Sequence, residues 1–208
     1  MLVLFYAMLG FMPKVTPEYR AERRAHIMAA ARRCFIRNGF HAASMHDLVE
    51  EAGMSSGAVY RYFPSKDAVI EAIAADNLEQ VVAVIGQSIE GGASPQAAIA
   101  TVLDFVTLRH GEDGFAAIAL LVWSEALRNP TLATHLRNAI ASAFATLSAG
   151  AHRQSDGQLD PTALADLLLC VLPGYLMRLA LGGHEAVENI PTAIEKVLNV
   201  PERSPAPA

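Results

Sequence analysis

From Thr16 onward the apolar positions recur at steps of three and four, the period of an amphipathic helix, and no stretch keeps the two-residue alternation of a half-buried strand. Thr16 can cap a first helix over Pro17 to Asn38, with Pro17 at its first position and Ile27, Ala31, Cys34 and Phe35 as the buried stripe. Asn38-Gly39 ends it, and Phe40 leads to Ser44, which with Asp47 three residues on has the spacing of a capping box. Leu48, Val49 and Ala52 give that second helix an inward face, and Gly53 sits where a left-handed residue stops a helix. Ser55 can cap a short third helix running through Gly57 to Tyr62; Pro64 interrupts it, and Ser65 opens a long helix to about Glu90. Val69, Ile70, Ile73, Leu78, Val81, Val82, Ile85 and Ile89 make the apolar side of that long helix, which Gly91-Gly92 closes.

The same punctuation divides the remainder. Ser94 and Pro95 start a helix to about Arg109; the next spans Glu112 to Asn129, where Asn129-Pro130 breaks it. Thr131 to His152 follows, then a polar loop, HRQSDGQLD. Asp160 and Pro161 open a helix to about Leu181, with Pro173 inside it expected to cause a kink. Gly182-Gly183 stops that helix, and a last one lies over Glu185 to Asn199, with Pro191 as the alternative start. The pattern predicts an all-α protein: a helix-turn-helix unit over residues 13–66, a helical body over 67–200, an apolar extension over 1–12 and a disordered proline-rich tail over 201–208. The extension is too short to span a bilayer and lacks a basic leader, so it is expected to be a start-site extension or an arm packed on the body.

Charge changes this picture. The chain of 208 residues carries a net charge of −5, but unevenly. Residues 12–66 hold nine Lys or Arg against five Asp or Glu, net +4, whereas residues 67–208 hold seven against sixteen, net −9. A basic N-terminal unit on an acidic body suits an anionic partner for that unit, such as a nucleic-acid backbone. The cysteines Cys34 and Cys170 lie far apart in apolar contexts, as small buried hydrophobes do in a reducing compartment. The histidines show no metal-ligand spacing, and neither a phosphate-cradling glycine loop nor a nucleophile elbow occurs, so no metal, cofactor or enzymatic activity is expected.

Two helices joined by a glycine turn form the unit that lays its second helix in the DNA major groove. Ser44 lies at a helix N-terminus, where its hydroxyl can meet a phosphate or serve simply as a cap. Ser55, Ser56, Gly57 and Ala58 are small enough to let the next helix approach base edges. Tyr60 and Tyr62 can reach phosphates through their hydroxyls, although one of them can instead be core; Arg61 has the fork that reads guanine, and Lys66 is a plain phosphate neutraliser. The run AGMSSGAVYRYFPSKDAVI resembles the DNA-binding signature of the TetR family of bacterial transcriptional regulators, through Ala52, Gly53, Ser55, Gly57, Tyr60, Phe63 and Lys66. The resemblance covers Pro13 to Ile73 and implies that these DNA-facing residues lie at or near the duplex.

In the body, the aromatic and polar residues Phe105, Arg109, Trp123, Glu125, Tyr175 and Met177 are either core or the lining of an apolar pocket with a few orienting polar groups. The resemblance implies such a pocket for a small-molecule effector of unknown identity. Leu164, Leu168, Leu172, Leu176 and Leu179 with Ile190 and Ile194 form wide apolar stripes on the last two helices. They serve a monomer core or a dimer interface, and the resemblance favours the dimer. The function so implied is a cytoplasmic, homodimeric repressor bound to palindromic double-stranded DNA and released by a ligand, without membrane association. A helical enzyme or a membrane-associated helical protein is the alternative.

Overall fold

The computed structural model describes residues 16–154 and 160–198. The expectations for residues 1–12, for 155–159 of the polar loop and for the tail 201–208 lie outside the described residues, as do the side chains of Leu164 and Leu168. Among the described residues the chain forms α-helices without a strand: α1 Pro17–Ala42, α2 Met45–Ala52, α3 Ser56–Tyr62, α4 Lys66–Glu90, α5 Pro95–Asp113, α6 Phe115–Ala126, α7 Pro130–Gln154, α8 Pro161–Gly182 and α9 Ile190–Leu198, with a 3-10 turn at His184–Ala186.

Local chemistry sets these boundaries. The hydroxyls of Ser44, Ser55, Ser65 and Ser94 accept from backbone N–H groups three residues on, at 3.2, 3.3, 3.2 and 3.1 Å. The Oδ1 of Asn129 accepts from Thr131 and Leu132 at the head of α7, and that of Asp160 accepts from Thr162 at the head of α8. Each bond satisfies a donor that the first turn leaves without an intrahelical partner. Gly39, at φ 72° and ψ 169°, breaks α1 where expected, but one more turn follows and carries the helix to Ala42. Gly111 stays helical, so α5 runs past the expected end at Arg109; Gly114, at φ 70°, is the residue that turns the chain into α6. Helix α8 continues through Pro173 as a single element, and of the two expected starts for α9 the later one holds.

Two apolar cores result. The N-terminal one joins Ile27, Cys34 and Phe35 of α1, Leu48 of α2, Val59 of α3, and Val69, Ile70, Ile73 and Ala74 of α4. It also takes in Ile118, Val122 and Ala126 from α6. The body core gathers Ile85 and Ile89 of α4, residues of α5, Phe115, Ala116 and Ala119 of α6, and residues of α7 to α9. Residue 66 stands at the head of α4, and packing continues across it. The first turns of α4 belong to the N-terminal core, and α6 serves both cores from different faces. Trp123 packs against both.

Candidate nucleic-acid interface and ligand cavity

The helix-turn-helix is held rigidly on α1. Ser44 and Asp47 close a full capping box: Asp47 N–H donates to the Ser44 hydroxyl at 3.2 Å, while Ser44 N–H and O–H both donate to Asp47 Oδ2 at 2.8 Å. These bonds hold the Asp47 carboxyl below its ordinary pKa. Gly53, at φ 62° and ψ 29°, makes the turn. Arg33 and Arg37 of α1 donate to Glu51 of α2 at 2.7 and 2.5 Å and hold its pKa down. His26 Nε2 meets the Ala52 carbonyl at 2.8 Å. Together these contacts fix α2, and with it the turn, relative to α1.

Of the expected DNA-facing residues, Ser44, Ser55, Ser56, Gly57, Tyr60 and Arg61 are exposed, and Ala58 and Tyr62 are half-buried. Val59 and Phe63 point inward. Ser44 engages Asp47 through its hydroxyl and caps α2. Lys66, expected as a phosphate neutraliser, is held by carbonyls of its own chain. Its ammonium donates to the carbonyls of Phe40, His41 and Ala43 at 2.6, 3.3 and 2.9 Å, and so closes the end of α1 onto the start of α4. Arg20 and Arg24 of α1 are not among the expected DNA-facing residues. With Tyr19, Ala21, Arg61 and Tyr62 they line a groove of about 400 Å³ beside α3. Arg24 lies over the Phe63 ring at 5.2 Å and Arg23 over Tyr19 at 5.1 Å, which anchors these long cations on α1. The four-residue spacing of Arg20 and Arg24 is visible in the sequence, but only the fold brings them beside Arg61.

A second cavity, of about 770 Å³, lies in the body between α4, α6, α7 and α8. Leu78, Val81, Phe115, Trp123, Phe144 and Leu169 are among its walls. Of the six expected ligand residues only Trp123 lines it. Phe105 stands behind the wall, edge-on to Phe115 at 5.9 Å. Arg109 is engaged by Gln80, Glu112 and Asp113. Glu125 pairs with His41 at 3.3 Å and Arg128 at 3.4 Å, which ties α6 to the end of α1. Tyr175 is buried and its hydroxyl meets that of Thr107 at 2.7 Å; desolvation raises its pKa. Met177 is 51% exposed on the outer face of α8. The residue the sequence did not single out is Asn77, which lines the cavity at 4% exposure.

The expected dimer residues also divide. Leu176, Leu179 and Ile194 are buried in the body's own core, and Leu172 and Ile190 pack against it. Among the described residues, the apolar positions of α8 left outside include Ala163, Leu167, Cys170, Gly174, Met177 and Leu181, spaced alternately by four and three residues. Leu167, Met177 and Leu181 are 51%, 51% and 83% exposed.

Comparison with known proteins accords with this geometry. Residues 27–73 match the family model described as bacterial regulatory proteins, tetR family. The HTH-type transcriptional regulator UidR of Escherichia coli strain K12 is 35% identical over 115 residues, 55% of this chain and 57% of that relative, so the match spans little more than half of its length. The HTH-type transcriptional repressor Rv1474c of Mycobacterium tuberculosis is 31% identical over 199 residues, 93% of this chain and 100% of the relative. Among solved structures, Salmonella enterica GusR superposes with a TM-score of 0.70 at 29% identity, covering 89% of this chain and 96% of that one. A helix-turn-helix capped and braced at the matched residues, on a helical body aligned end to end with a repressor, places this chain in the TetR family.

Proposed function

We propose that the protein is a cytoplasmic transcriptional repressor that binds a palindromic operator as a homodimer and is released by a small apolar effector. The observation that carries this is the exposed α3 surface: Ser55, Ser56, Gly57, Tyr60 and Arg61 stand clear of the core, with Arg20 and Arg24 beside them. Small residues at the head of α3 allow close approach to base edges, Arg61 supplies a bidentate donor, and the α1 arginines neutralise flanking phosphates. The full-length similarity to a protein named a repressor supports the direction of regulation.

The second subunit covers the exposed stripe of α8. The segment Ala165–Gly182 is apolar enough by length and composition to cross a membrane, yet only 24% of it is buried within this chain. A two-fold pairing of Leu167, Met177 and Leu181 with their copies would bury that surface and set two α3 helices for successive major grooves. The switch would run through α6, which meets the cavity at Ala119 and Trp123 and the N-terminal core at Ile118 and Val122. An effector acts only by binding the released arrangement more tightly than the DNA-bound one.

Selection of bound duplexes from a random pool tests the central claim. A palindromic consensus is expected, and Arg61→Ala should weaken binding to it by about 1–3 kcal/mol with relaxed preference at one position of each half-site. Equal affinity for consensus and random duplex at moderate salt would overturn the proposal.

A further inference from the structure

Asn77 lies in the middle of α4, where apolar residues surround it on the cavity side. It is 4% exposed, and neither its Oδ1 nor its Nδ2 has a hydrogen-bond partner. Because both atoms are unpaired, the conclusion does not depend on which is oxygen and which nitrogen. An asparagine within a helix could bond back to its own turn; this one does not. Buried amides are nearly always satisfied, so an orphan pair on a cavity wall points to a partner from outside the chain. The adjacent Asp76 is turned away, to Arg32 at 2.8 Å. The other charged groups on the lining, Arg137 and Asp166, are exposed and lie at the mouth, where water screens them.

We propose that Asn77 is the polar anchor of the effector, and that the effector is an elongated apolar molecule ending in one neutral head with an adjacent donor and acceptor, of the primary-amide or lactam kind. Such a head pairs with both atoms of the asparagine at once, N–H to Oδ1 and carbonyl to Nδ2. A carboxylate would leave Oδ1 facing negative charge, and an ammonium would leave Nδ2 without an acceptor. The apolar remainder occupies the space between Leu78, Val81, Phe144 and Leu169. The assignment rests on the cavity being an effector site, and it adds the chemistry by which that site selects.

The probes are straight-chain primary amides of eight to fourteen carbons and the methyl ketones of equal heavy-atom count, titrated against the full chain with Trp123 emission as the readout. The ketone replaces NH2 by CH3 and is the more hydrophobic of each pair, so a purely apolar cavity would prefer it. The wild type is expected to bind the best amide about tenfold more tightly than its ketone. Asn77→Leu, which removes the head group at similar volume, should reverse that order and melt no lower than the wild type without ligand. A ketone binding the wild type as tightly as its amide overturns the Asn77 assignment while leaving the cavity as an effector site. So does a marked loss of melting temperature in Asn77→Leu, which would make Asn77 a structural residue. No response to any amide or ketone overturns the assignment of an elongated amide-headed effector.

Discussion

The ammonium of Lys66 donates to the carbonyls of Phe40 and His41 in the last turn of α1 and of the C-cap residue Ala43. A cation so held stabilises the loop that sets α2 against α4, and its charge is shared with those dipoles before any phosphate approaches. Lys66→Met keeps the stem and deletes the donors. It should lower stability by about 1–3 kcal/mol in a denaturant titration. Its operator affinity, measured well below the new melting temperature, should fall less than that of Arg61→Ala. If the ranking is inverted, Lys66 acts chiefly on the DNA. The sequence displayed this lysine as a free cation at a helix start because its carbonyl partners lie 23 to 26 residues earlier, across a turn that only the folded chain closes. Arg20 and Arg24 pose the same difficulty in reverse. Nothing local distinguishes them from Arg33 and Arg37, which the fold commits to Glu51.

At the scale of elements, α2 is stabilised from both ends by ionised carboxylates. Ser44 bonds depress the pKa of Asp47, and Arg33 and Arg37 depress that of Glu51 from its ordinary 4.5. A carboxyl with a folded pKa below its unfolded one contributes stability above the unfolded value and loses it as pH falls through the folded value. The N-terminal unit should therefore loosen below about pH 4.5, and Glu51→Gln should remove part of that acid sensitivity, as read by amide exchange of α2 against pH. The junction of α5 and α6 is a second sensitive point. Gly114 holds φ 70°, and a Cβ there would press on Ile36 of α1. Gly114→Ala should cost about 1–2 kcal/mol, and the double variant with Ile36→Ala should recover only the contact part, since the backbone strain remains. Helix ends were legible in the sequence because caps act over three residues: Thr16, Ser44, Ser55, Ser65, Ser94 and Asp160 all cap as their spacing implies. The faces of α8 were not legible. It carries leucine on two stripes, and only the placement of α5, α6 and α7 decides that Leu176 and Leu179 turn inward while Leu167 and Leu181 turn out. The cavity was legible only at Trp123, because its walls come from four helices and its one orphan amide, Asn77, sits where an apolar pattern is merely interrupted.

For the whole molecule, the two stripes of α8 separate folding from assembly. Leu176→Glu places a charge in the body core and should unfold it, whereas Met177→Glu leaves the core intact and opposes two like charges across the proposed two-fold. Sedimentation of Met177→Glu should show a folded monomer, with operator binding weakened because one recognition helix no longer recruits the other. A wild type that sediments as monomer at micromolar concentration would remove both the interface and the palindrome. Coupling between cavity and DNA face has two helices to pass through, α4 and α6; in α6, Ala119 faces the cavity while Val122 and Ala126 enter the N-terminal core. Ala119→Leu adds volume into space the effector would occupy, so it should abolish the effector's change in Trp123 emission. Because Ala119 belongs to the body core and not to the N-terminal one, operator affinity without effector should stay within about 0.5 kcal/mol of the wild type. Full release from 99:1 to 1:99 needs an effector preference of about 5.5 kcal/mol for the free arrangement, and weaker ligands should give graded release. An effector that shifts Trp123 emission in the wild type at saturation, yet leaves operator affinity unchanged, would mean that α6 joins the two cores mechanically without transmitting a switch.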